Sequence, residues 1–169
     1  MDDKTGIERE AKKLYVDTEY SSRSHFEARR LWNSTYYALG CGSAVLTAVG
    51  AAIMVAHAPL GTAVTVSGAI FIGLSTFLDP RTLAQAHSVA GARLNALNGR
   101  IRYFGLEKIK RLAIEAAETE LEALRAEKER LNSESPGIPR SAYMRARKGI
   151  QAGESSYKED FDRLNAEWR

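Results

Sequence analysis

The chain is poor in the residues that build most chemical sites. A single cysteine, Cys41, stands among 169 residues, so no disulfide framework can form within one chain. The three histidines, His25, His57 and His87, lie far apart in sequence. With one cysteine they make no metal-ligand constellation. There is no phosphate-cradling glycine-rich loop and no nucleophile motif. Gly40-Cys41-Gly42-Ser43 draws the eye, but it sits in an apolar run without partner residues. These absences point away from an enzyme, and no catalytic residue, cofactor or metal is expected. The N-terminus, MDDKTGIERE, is acidic and polar, so an ordinary cleaved signal peptide is not expected either.

The most informative absence is of charge. No Asp, Glu, Lys or Arg occurs from residue 31 to residue 78, a gap of 48 positions, although 27% of the whole chain is charged. A bilayer crossing takes about 20 largely apolar residues. The gap therefore accommodates two crossings, about 36–56 and 62–78, with a turn at 57–61. Proline cannot continue a helix and glycine supplies unusual dihedrals, so His57-Ala58-Pro59-Leu60-Gly61 reads as the reversal. A buried helical pair in a soluble bundle normally keeps a polar stripe toward water, and here neither helix carries a charge on any face.

The flanks suggest an orientation. Arg23, Arg29 and Arg30 precede the first crossing, Arg81 and Arg93 follow the second, and the turn has no Lys or Arg. By the positive-inside rule both termini are expected in the cytoplasm of a bacterial inner membrane. Within the first crossing Tyr36, Gly40, Ser43, Thr47, Gly50, Met54 and His57 recur at alternating spacings of four and three. A weaker series in the second runs Gly61, Thr65, Gly68, Ile72 and Ser75. Small residues let membrane helices approach closely. Either these seams join the two helices of one hairpin, or the first lines a pore in an assembly of several chains. A fourfold homo-oligomer is the working expectation, since short helical hairpins form such rings.

Outside the gap the pattern is helical. Residues 1–35 read as an N-terminal cytosolic amphipathic helix with Leu14, Tyr15, Phe26 and Leu31 on its apolar side. Residues 79–169 read as a cytosolic helical domain with a loop at 133–140. After Asp79-Pro80, a fitting helix start, Leu83, His87, Ala90, Leu94, Leu97, Ile101 and Phe104 step at heptad spacing. Gly105 interrupts the phase, and Ile114, Ala117, Leu121, Leu124 and Leu131 resume it. In ESPGIPRSA two prolines around a glycine end one helix, and Ser141 is positioned to cap the next. Tyr143, Ile150, Tyr157, Phe161, Leu164 and Trp168 share a face if the helix breaks near Gly153. The expected fold class is thus an all-α membrane protein, a transmembrane hairpin with long cytosolic helical extensions.

Basic residues cluster twice. Arg93, Arg100, Arg102, Lys108, Lys110 and Arg111 face one acid, Glu107, and Arg140, Arg145, Arg147 and Lys148 face none from residue 135 to residue 153. They are open to two readings. One is contact with lipid headgroups and solvent; the other is a site for an anionic ligand, with Tyr103, Phe104 or Tyr143 stacking a base. The net charge of +3 is modest, and recognition of genomic DNA is not expected.

The charged first helix, the double crossing, the helix opening LDPRTLAQAHSVAGARLNALNGRIRYF and the loop-helix SPGIPRSAYMRARKGI together resemble the SLATT family. Its members are bacterial two-transmembrane effector domains associated with nucleotide-signalling conflict systems. The likeness is architectural and covers nearly the whole chain. It implies a membrane effector of anti-phage defence that oligomerises and breaches the inner membrane. It further implies control by a nucleotide or oligonucleotide from a partner nucleotidyltransferase. A scaffold that only anchors cytosolic partners is the competing expectation.

Overall fold

The computed structural model describes residues 3–153, and among them every regular element is helical. The elements are α1 (Asp3–Met54), α2 (Ala58–Leu78), α3 (Pro80–Tyr103), α4 (Ile114–Glu134) and α5 (Arg140–Gln151). Each of the four prolines stands in a helix's first turn or in the loop before it. Pro59 lies in the first turn of α2, Pro80 opens α3, and Pro136 and Pro139 fill the break before α5. A first-turn N–H has no intrahelical acceptor, so proline there loses nothing. The described residues form two compact units, one of residues 3–28 with 86–153 and one of Arg29–Gln85. Helix α1 contributes to both and does not break at residue 35.

The first unit has a conventional aqueous core. Leu94, Leu97, Ile101 and Phe104 of α3 meet Ile7, Ala11 and Leu14 of α1 and Ala117, Leu121, Leu124 and Leu131 of α4. The heptad series are therefore the buried faces, as their spacing requires. Where Gly105 breaks the phase, α3 widens into a π-turn over Phe104–Lys108 and then tightens into a 3-10 turn over Ile109–Arg111. Residues five apart stack in a π-turn. This keeps both Phe104 and Ile109 inside, at 1% and 0% exposure.

The last break is shorter than the 133–140 expected. Helix α4 continues to Glu134 and α5 starts at Arg140. Pro139, with φ of −60°, occupies the N-cap position without a side-chain cap. Ser141, expected to cap α5, lies inside the first turn, because proline has already set the helical φ one residue early. The inward face of α5 is Ala142 and Ala146, while Tyr143 is 42% exposed. Tyr157, Phe161, Leu164 and Trp168 lie outside the described residues.

The second unit is built differently. α1 and α2 are separated by only Val55–His57. The turn is thus earlier and tighter than the 57–61 expected, with Pro59 and Gly61 inside α2. The helices meet through glycine. A Cβ on Gly50 would collide with Thr65 Oγ1 and lie 2.6 Å from the Thr65 backbone nitrogen. One on Gly61 would run into the Met54 backbone and lie 2.7 Å from the Gly50 carbonyl oxygen, and one on Gly68 would lie 2.6 Å from Thr47 Oγ1. Larger side chains point outward: Val45, Val66, Ile70, Ile72 and Phe77 are all more than half exposed. Two helices are long and apolar enough to cross a membrane, and only 11% of their apolar windows is buried. The 21 residues of α2 span about 32 Å at 1.5 Å per residue, close to a hydrocarbon core.

Gly61→Leu is expected to force the pair apart at a cost of about 3 kcal/mol or more. Gly73, where an added Cβ would meet nothing within 4 Å, should accept leucine at under about 0.5 kcal/mol. Thermal unfolding followed by circular dichroism in detergent compares the two, and equal melting temperatures would contradict the glycine contact.

Candidate functional site

The cations of the first basic cluster are mostly matched by carboxylates. Arg93 lies 3.5 Å from Glu134, Arg100 2.6 Å from Glu127, Lys108 2.8 Å from Glu120, and Arg111 3.8 Å from Glu107. Three of those acids belong to α4, whose charged sequence reads as solvated surface until its register against α3 is known. Arg102, Tyr103 and Lys110 are exposed, and Phe104 is buried in the core and cannot stack a ligand. The six cations therefore form no single anion site. Arg93 and Arg100 do line one cleft of about 450 Å³, but Glu127 and Glu134 line it with them.

The second cluster stands otherwise. Arg140, Arg145, Arg147 and Lys148 are carried on α5, with no carboxylate partner among the described residues. Arg140 and Arg147 stand three before and four after Tyr143, so all three share a side of the helix. Tyr143 itself lines a cleft of about 720 Å³ between α1 and the start of α5. That volume lies within the range of small-molecule sites. Its other wall is the α1 series Arg9, Lys12, Lys13, Val16, Asp17 and Tyr20. The cleft joins residues more than 120 positions apart, and its α1 wall is not foreseen from sequence.

Its charges differ in availability. Lys13 is held by Glu10 at 2.6 Å, Asp17 pairs with the buried Lys128, and Lys12 is also engaged. Burial pulls the Lys128 ammonium below the usual lysine range, with Glu129 opposing. Arg9 has no carboxylate partner among the described residues. An anion entering the cleft would thus meet Arg9 directly, with tyrosine rings on both walls and with Arg140 and Arg147 on the Tyr143 side of α5. That combination suits a phosphorylated aromatic molecule.

His25 and His87, 62 positions apart, form a buried pair. Their Nδ1 atoms are 2.9 Å apart, and the side chains are 2% and 1% exposed. One ring donates its Nδ1–H and the other accepts, and burial favours the neutral form of both. Next to them Ser22 Oγ donates to the Gly91 carbonyl at 2.9 Å, fastening α1 to α3. Burial, then His87, pulls His25 down to about 4, and burial lowers His87. Only the α3 heptad series hinted at this, by placing His87 at a core position. Among the described residues no group of three or more ligand-type side chains could hold a metal ion.

The seam expected to line a pore divides along its length. Ser43 is buried and donates to the Gly40 carbonyl at 2.8 Å, and Thr47, Gly50 and Met54 approach α2 of the same chain. This is the intrachain alternative for those four positions. Tyr36 stacks edge-on against Tyr37 at 5.4 Å, a Cβ added to Gly40 would meet nothing within 4 Å, and His57 is exposed at the start of α2.

The histidine pair generates a signed pH dependence. An unfolded histidine binds a proton near pH 6.5, whereas the folded pair resists it, so the unfolded state binds more protons in this window. Folding stability should be full above pH 6.5 and fall by about 3 kcal/mol toward pH 4. His25→Leu combined with His87→Leu should flatten that slope in denaturant titrations. An unchanged slope would remove the pair as its source.

Compared with protein-family models, with curated proteins and with solved structures, the chain matches none of them.

Proposed function

We propose that the chain is a membrane effector of bacterial anti-phage defence, a homo-oligomeric ion channel whose opening depolarises the inner membrane. The observation that carries this reading is the outward-facing apolar surface of α1 and α2, joined only through a narrow glycine seam. Such a surface is solvated by lipid tails, or by other copies of the same hairpin, far better than by water. One chain contributes two crossings, too few to enclose a passage, so several must converge, and four is the working number. Ser43, Thr47, Gly50 and Met54 already contact α2, so a passage would draw most of its wall from outward positions. The arginine flanks favour both termini in the cytoplasm.

Control is assigned to a nucleotide or oligonucleotide made by a partner nucleotidyltransferase, bound in the cleft of Arg9, Tyr20 and Tyr143. The ligand stabilises whichever of the open and closed states holds the tighter cleft. The competing reading, a non-conducting anchor that recruits cytosolic partners, draws support from the exposed cationic face of α5.

Reconstituted into planar bilayers, the full chain should give discrete conductance steps, and its expression should collapse the potential reported by a voltage-sensitive dye. Silent bilayers and normal potential, with and without nucleotides, would leave the anchor reading. In calorimetric titrations against a panel of cyclic dinucleotides, Arg9→Ala should weaken binding about tenfold or more. Arg130→Gln, whose arginine pairs with Glu134 at 2.7 Å, should change it little.

A further inference from the structure

The unit of Arg29–Gln85 holds a second cleft, unlike the first. It measures about 500 Å³ and is lined by Arg29, Asn33, Arg81, Thr82, Ala84 and Gln85. No carboxylate is among them. Arg29 and Arg81 have no ion-pair partner among the described residues. Two acids stand two residues from these arginines in sequence: Glu27, itself engaged in an interaction, and Asp79, whose Oδ1 accepts from the Thr82 N–H at 3.3 Å, closing the first turn of α3. Asp79 adopts φ of 40° in the one-residue link between α2 and α3, a conformation that aspartate tolerates better than most residues. That link sets Arg81 and Gln85 on one side of α3, as helical spacing sets Arg29 and Asn33 on one side of α1. The result is two guanidiniums and three uncharged polar side chains around one space.

Position in the chain narrows the ligand. Arg81 stands three residues after Leu78, the last residue of α2. Arg29 is followed within a few helical turns by Trp32, Tyr36 and Tyr37, with Tyr37 65% exposed. Trp and Tyr concentrate at the headgroup level of a bilayer, where amphipathic rings face both phases. Guanidinium is the side chain best matched to paired phosphate oxygens. We propose that this cleft binds the phosphodiester headgroup of an anionic membrane lipid, with Arg29 and Arg81 as the clamp and Asn33, Thr82 and Gln85 as neutral hydrogen-bonding partners. A free phosphate ester offers the same oxygens. The aromatic belt and the adjoining apolar helices favour the lipid source.

The inference rests on the reading that α1 and α2 lie in lipid, not on conduction. Full-length protein is delipidated in detergent, offered phosphatidylglycerol and phosphatidylcholine in equal amounts, and examined by native mass spectrometry. Wild type should retain phosphatidylglycerol preferentially. Each arginine at a membrane surface contributes roughly fivefold, so Arg29→Gln with Arg81→Gln should lower the preference roughly twenty-five-fold. Arg29→Lys with Arg81→Lys should recover part of it, since charge remains and the fork is lost. Arg130→Gln should leave it intact, and circular dichroism checks that each variant keeps its helices. No preference in wild type, or an unaltered preference in the glutamine variant, overturns the clamp. Displacement of the bound lipid by millimolar glycerol 3-phosphate overturns the lipid source in favour of a free ester. Recovery of the protein as a dispersed species without detergent overturns the membrane reading itself, an outcome distinct from the other two.

Discussion

Two apolar helices that touch through only a narrow glycine seam leave most of their side chains without an apolar partner in the same chain. This constraint governs how the chain uses its residues. In lipid, burying leucine against leucine gains little, because hydrocarbon tails are as apolar as the side chain. Close backbone approach is what remains, and Gly50, Gly61 and Gly68 provide it where α1 meets α2. The unit of residues 3–28 and 86–153 instead packs apolar side chains on one another, and in water each buried Å² of apolar surface contributes about 25 cal/mol. Its core is accordingly built from Leu94, Leu97, Ile101, Phe104 and Leu124. One polypeptide thus follows two packing regimes.

Electrostatics divide as sharply. The ion pairs joining α3 to α4 are largely exposed, and each contributes at most about 1 kcal/mol. Their larger effect is to neutralise the cations of α3 with the carboxylates of α4. Positive charge without a described ion-pair partner remains on α5, at Arg102 and Lys110, at Arg9, and at Arg29 and Arg81. Of these, Arg9 lines one cleft and Arg29 and Arg81 another, so part of the field available to an anion is concentrated there.

The histidine pair is a polar contact in a mostly apolar interior. Two neutral imidazoles satisfy each other's Nδ1 at 2.9 Å, which offsets the cost of burying them. Adding a proton to each would set two N–H groups against one another in a place water does not reach. The contact therefore holds α1 to α3 firmly at neutral pH and weakens in acid.

Much was legible locally. The gap without charge, the heptad steps of α3 and α4 and the placement of four prolines determined the helices, their buried faces and the apolar pair. Periodicity and helix-start chemistry act over a few residues, so they can be read from the chain alone. Other features were not legible: which of the two alternatives Ser43 to Met54 follow, that Glu127 and Glu134 meet Arg100 and Arg93, and that His25 meets His87. Nor was it legible that Arg9 and Tyr143 wall one cleft. Each of these depends on the register and rotation of one helix against another. Those are set by the sum of many side-chain fits, and no single stretch of sequence carries them. The sequence by itself determined which faces must leave water; the tertiary structure decided which residues meet there.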